Sequence, residues 1–125
     1  MAQCCGVFRL AGPLSEPEKK RIVDLYEHRL SQFGRDVRTV GWGSRETQQL
    51  RFEVLCRDLD LSGKRILDVG CGLGDLVPFL DRAGHKDYDY VGLDIAPRLI
   101  EEASRQFGSN NRTFVVGDLL DAPLT

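Results

Sequence analysis

The chain has 125 residues, 42% hydrophobic and 29% charged, with a formal net charge of -2. That size holds one domain or part of one, the composition excludes disorder, and the lack of a basic excess leaves nucleic-acid binding unsupported. Cys4, Cys5, Cys56 and Cys71 give neither a spaced disulfide framework nor a CxxC zinc pair, which fits a reducing cytoplasm and points to no metal. No apolar run reaches the roughly eighteen residues that a membrane span needs.

In chain order, Ser15-Glu16-Pro17-Glu18 has the form of a capping box and predicts a helix. Ile22, Val23, Tyr26, Leu30 and Phe33 keep helical spacing on one face, and Gly34 ends it. Arg38 to Gly43 reads as a loop. Ser44 then caps a second amphipathic helix, running through Leu50, Val54, Leu55 and Leu59 and stopping near Leu61-Ser62-Gly63-Lys64. From Arg65 the period changes. Ile66 to Val69 is a short apolar run ending in glycines, the pattern of a buried parallel strand. A helix from about Asp75 to Ala83, a strand Tyr90 to Leu93, a helix Pro97 to Phe107 and a strand Thr113 to Val116 complete a βαβαβ series. Residues 1–62 therefore read as an N-terminal helical cap and residues 63–125 as an α/β unit.

Asp68-Val69-Gly70-Cys71-Gly72-Leu73-Gly74 sits between a strand and a helix, where glycines allow a tight turn and close approach of a ligand to backbone. Asp94 ends the second strand twenty residues after Gly74, the separation at which a carboxylate reaches a ribose hydroxyl pair. Gly117-Asp118 follows the third strand. In an open α/β sheet ligands bind beyond the carboxyl ends of the strands, so the three acids face one crevice. A dinucleotide fold is the other reading of such a loop, with pyrophosphate held at the helix N-terminus. Asp68 would repel that phosphate and would favour an ammonium or sulfonium group. The spacing is also G-x-G-x-G here and not G-x-G-x-x-G.

These residues resemble the class I S-adenosylmethionine-dependent methyltransferases. Ile66 to Gly74 is similar to that family's first motif, Val91 to Ala96 to the acidic strand end after it, and Phe114 to Leu120 to the next motif. The resemblance implies a Rossmann-like fold with S-adenosylmethionine as cofactor. It implies that Gly70, Cys71 and Gly72 line the methionine part and that Asp68 supports the ammonium, directly or through water. Asp94 would hold the ribose hydroxyls, Ile95 would pack on the adenine, and Asp118 with the Leu119 backbone would recognise the adenine edge. Trp42 to Glu46 looks like the segment that folds over the cofactor in many small-molecule methyltransferases, and Arg45 would then pair with the cofactor carboxylate. The plain reading of Arg45 is a solvated residue in the first turn of a helix.

The family's sheet has seven strands, and this chain supplies the first three. The expected fold is a three-stranded parallel half-sheet preceded by two helices. The part that usually binds the methyl acceptor lies outside it, so the acceptor, a small molecule, and the catalytic residues stay unassigned and the isolated chain is expected to be inactive. A non-catalytic S-adenosylmethionine-binding module or a truncated fragment is the alternative, with an NAD-type domain behind it. In the family's strand order the first strand would be an open sheet edge, which predicts self-association, most simply a two-fold dimer with that strand paired antiparallel.

Overall fold

The computed structural model describes residues 14–120. Helix α1 spans Glu16–Phe33. Its capping box is complete, with the Glu18 N–H donating to Ser15 Oγ (3.3 Å) and the Ser15 N–H to Glu18 Oε2 (2.8 Å). Gly34, at φ 65°, turns the chain out of the helix while its N–H donates to the Leu30 carbonyl (2.8 Å). The following segment, expected as a loop, opens with a 3-10 turn at Val37–Val40. Asp36 caps that turn by accepting from the Arg38 N–H (2.9 Å), and the buried Thr39 hydroxyl donates to the Gly34 carbonyl (2.6 Å).

Helix α2 spans Arg45–Cys56 and begins as expected, the Thr47 N–H donating to Ser44 Oγ (3.1 Å). It stops short of Leu59 because Arg57 is extended and Asp58 takes a left-handed φ of 63°. The apolar positions Leu50, Val54, Leu55 and Leu59 are exposed, contrary to the expected buried face. What α2 turns inward is Gln48 and Phe52. Gln48 is buried and donates through Nε2 to Asp75 Oδ2 (3.0 Å), and Phe52 lies 5.4 Å from Phe79, centroid to centroid.

The α/β unit consists of β1 (Arg65–Val69), α3 (Leu76–Arg82), β2 (Asp89–Asp94), α4 (Pro97–Phe107) and β3 (Arg112–Val116). The strands are parallel in the order β1-β2-β3, with Leu67 beside Val91 and Val91 beside Thr113. Both crossovers step across the sheet in the same direction. With the usual right-handed connection, both helices then fall on one face. Val77 and Leu80 of α3 and Ile100 and Ala103 of α4 bury Tyr90 and Phe114 there, in one cluster that also takes in Ile66. A second cluster of Leu30, Leu73, Ala96 and Leu99 fastens α1 to the loop after β1 and to α4.

The opposite sheet face carries Leu67, Val69, Val91 and Val115, each 37 to 44% exposed. Strand β1 is therefore not the buried strand that its composition suggests, although Leu93 of β2 is buried on the same face. It is also an edge. The Asp89 N–H donates to the Lys64 carbonyl (2.8 Å) and the Gly70 N–H to the Leu93 carbonyl (2.7 Å), so even-numbered residues face β2. The backbone groups of Arg65, Leu67 and Val69 point outward. Among the described residues no helix is long and apolar enough to cross a membrane.

Candidate cofactor site

The loop from Gly70 to Asp75 owes its shape to backbone that only glycine adopts readily. Gly72, at φ 56°, lies under the 3-10 turn, where a Cβ would come within 2.6 Å of Val40 Cγ1. Gly70, at φ 73°, has no other heavy atom within 4 Å of a Cβ position, which leaves open space on its side of the loop.

The Cys71 amide and those of the three glycines in this loop are already used. The Gly70 and Cys71 N–H groups both donate to the Leu93 carbonyl (2.7 and 3.1 Å), the Gly72 N–H to Asp94 Oδ2 (3.0 Å) and the Gly74 N–H to the Cys71 carbonyl (2.9 Å). A phosphate cradle needs such groups turned toward the ligand. Here they stitch the loop to the end of β2 instead. The helix that follows has only seven residues and no side-chain cap.

Carboxylates occupy the place an anion would need. Asp68 is half-buried, and its Oδ2 accepts from the Tyr90 hydroxyl (2.6 Å). Burial raises its pKa above the usual aspartate value, Tyr90 pulls it back, and Asp94 adds to the rise. Asp94 is half-buried too, with Oδ1 accepting from the Ala96 N–H (3.0 Å) in addition to the Gly72 contact. Burial raises it as well, opposed by those backbone donors. A carboxylate has about four acceptor positions, so each oxygen of Asp94 keeps room for a ligand hydroxyl. Asp118 accepts from the Leu14 N–H through Oδ2 (3.2 Å) and from the Leu120 N–H through Oδ1 (3.1 Å), tying the start of α1 to the end of β3.

All three acids border one cavity of about 610 Å³, a volume suited to a small-molecule ligand. Gly70, Cys71, Gly72, Ile95 and Leu119 line it with them. Of the positions expected from the sequence, Arg45 alone stands apart. It is exposed on the first turn of α2 and borders a separate shallow crevice beside Pro78 and Arg82, because the residue that α2 turns inward is Gln48. Cys71 is buried, and burial, then Asp94 and Asp68, push its thiol well above the ordinary value. A Cβ on Gly92 would lie 2.8 Å from its sulfur, so Cys71 fills the space between the loop and β2.

Two site residues escaped the sequence reading. Tyr90 shares a sheet face with Asp68, a fact readable from the period of two once the register is known. Arg29 lies on the cavity wall that α1 supplies and stacks on Tyr26, with the guanidinium carbon 5.5 Å from the ring centroid. Its position three residues after Tyr26 on the inward stripe of α1 was the available signal.

A three-stranded parallel sheet, a glycine loop bonded to the end of β2 and acids at three strand ends make a Rossmann-like crevice. The comparisons agree. Residues 66–125 match the family model for the methyltransferase domain. The magnesium-protoporphyrin O-methyltransferase of Rhodobacter capsulatus is 40% identical over 68 residues, covering 52% of this chain and 29% of that protein. The phthiotriol/phenolphthiotriol dimycocerosates methyltransferase of Mycobacterium leprae is 40% identical over 65 residues, covering 52% and 24%. The crystal structure of the [4+2]-cyclase SpnF superposes with a TM-score of 0.59 at 17% identity, over 90% of this chain and 46% of that one, which speaks for the fold alone. From residue 66 onward the chain thus matches a methyltransferase domain. It spans about a quarter to a third of the length of the curated relatives it matches.

Proposed function

We propose that this chain forms the cofactor-binding part of an S-adenosylmethionine-dependent methyltransferase acting on a small molecule, with residues 1–62 as a cap over residues 63–125. The observation that carries the reading is the pairing of inward loop amides with half-buried Asp68 and Asp94. Such a site repels pyrophosphate and receives a cation and hydroxyl groups. When bound, the cofactor supplies an electrophilic methyl group on a sulfonium centre.

The residues of this chain bind and orient. Asp68, held by Tyr90, accepts from the ammonium. Gly70, Cys71 and Gly72 run along the methionine chain, the bare side of Gly70 allowing close approach. Asp94, held by Gly72 and Ala96, takes the ribose hydroxyls through its remaining acceptor positions. Ile95 packs on the adenine, and Asp118 with the Leu119 backbone reads its edge. Holding reactants in place contributes heavily to a transfer of this kind. No group of this chain is assigned as a base toward the acceptor.

The second reading, a binding module without turnover of its own, draws support from the open edge and bare face of the sheet. The outward groups of Arg65, Leu67 and Val69 are symmetric about Leu67. A second copy related by a two-fold axis through that residue would satisfy them all in an antiparallel pair. We place the chain in the cytoplasm, supported by the free thiols of Cys56 and Cys71. Calorimetry separates the cofactor readings: S-adenosylhomocysteine binds and NADH does not. A turnover assay then distinguishes enzyme from module.

A further inference from the structure

The acids of the cavity leave one end of an amino-acid ligand unmatched. S-adenosylmethionine carries an ammonium and a carboxylate on the same carbon, and a site holding only Asp68 near that end would repel the carboxylate. Among the described residues, Arg29 is the only basic side chain that lines the cavity.

Its neighbours on the same side are committed elsewhere. Arg38 pairs with Asp36 (3.0 Å) and stacks on Phe33, and Arg35 pairs with Glu102 (3.7 Å). Among the described residues Arg29 pairs with no carboxylate, and the Tyr26 ring steadies it. A Cβ on Gly41 would lie 3.5 Å from its Nη1, and the preceding residue, Val40, rests on Gly72 of the glycine loop. The guanidinium therefore sits beside the turn that covers the loop, where a chain laid along Gly70 to Gly72 would end.

We propose, on the reading above, that Arg29 is the carboxylate-binding residue, gripping with its planar fork while Asp68 holds the ammonium. This displaces Arg45 from that role. The site then selects an α-amino acid end by two opposite charges, and a ligand that keeps only one charge answers to only one of the two residues.

The test is calorimetric titration of the full chain with S-adenosylmethionine and with its decarboxylated form, which keeps the ammonium and sulfonium but has no carboxylate. Arg29→Gln should weaken S-adenosylmethionine by about tenfold or more and leave the decarboxylated ligand within about twofold, as befits a lost charge-assisted contact. Arg29→Lys should recover part of the loss. Asp68→Asn should weaken both ligands, and Arg45→Ala neither. Equal losses for the two ligands in Arg29→Gln would mean that the residue acts through folding, and no loss for either would mean that it does not touch the carboxylate; each overturns the assignment while leaving the cofactor reading intact. Failure of the unmodified chain to bind S-adenosylmethionine would remove the cofactor reading itself, and this inference with it.

Discussion

The two faces of the sheet both carry apolar residues and live in different surroundings. On one, Tyr90 and Phe114 lie under α3 and α4, and Val77 and Leu80 have no exposed surface. On the other, Leu67, Val69, Val91 and Val115 stay 37 to 44% exposed, and only Leu93 among the aliphatic residues there is buried. Parallel sheets are ordinarily covered on both faces, since crossover helices supply the covers. Two crossovers in one direction supply one cover. The described residues thus form one well-covered face that positions the site and one face that stays largely open.

If that contrast is right, cutting the two faces should cost very different amounts. Leu80→Ala should lose about 2 to 5 kcal/mol of stability, the range for a fully buried leucine, whereas Leu67→Ala should lose under about 1 kcal/mol. Urea denaturation measures both, and equal losses would show that the bare face is covered in solution.

The next effect concerns the site that the well-covered face supports. Asp94→Ala removes the proposed ribose acceptor and also the partner of two backbone amides. It should weaken S-adenosylhomocysteine by about 1.5 to 3 kcal/mol. Binding within about 0.5 kcal/mol of the unmodified chain, a change too small for any lost hydrogen bond to a charge, would sink the role given to Asp94.

A smaller effect sharpens the other side of the contrast. Leu67→Lys places a charge on the open edge, as natural edges often do, and should abolish self-association in sedimentation velocity while changing the monomer by about 1 kcal/mol or less. Dimers that persist in this variant would rule out pairing through β1.

The smallest effect is a pH dependence with opposite signs. Burial raises Asp68 above its unfolded value of about 3.9, so the folded chain binds that proton more tightly than the unfolded one. The contribution of Asp68 to stability is therefore largest at low pH and falls as pH rises from that value through the raised one. Ligand affinity should climb across the same window, because the ammonium prefers the ionised carboxylate. Subtracting the melting curves of Asp68→Asn isolates the effect, and a stability contribution from Asp68 that grew with pH would contradict the direction.

Much of this was legible in the chain. The switch from helical to strand period at Arg65, the capping residues Ser15 and Ser44 and the glycine loop are local signals, and local chemistry determines them. The inward side of α2 was not legible. Its helix carries one stripe through Leu50 and Val54 and another through Gln48 and Phe52, and periodicity cannot say which meets the core when a neighbour covers only one. Arg29 and Arg45 differ for the same reason: both sit on helices before the sheet, and only the docking of α1 onto the loop brings Arg29 to the cavity. The Tyr90 to Asp68 contact depends on parallel register, a long-range property.

The central claim is that the cavity takes a nucleoside that carries an ammonium group and refuses a dinucleotide phosphate. Isothermal titration of the chain with S-adenosylhomocysteine and, separately, with NADH tests it most directly. Saturable binding of the first with no heat from the second is the predicted result. Tight NADH binding without any response to S-adenosylhomocysteine would contradict the account.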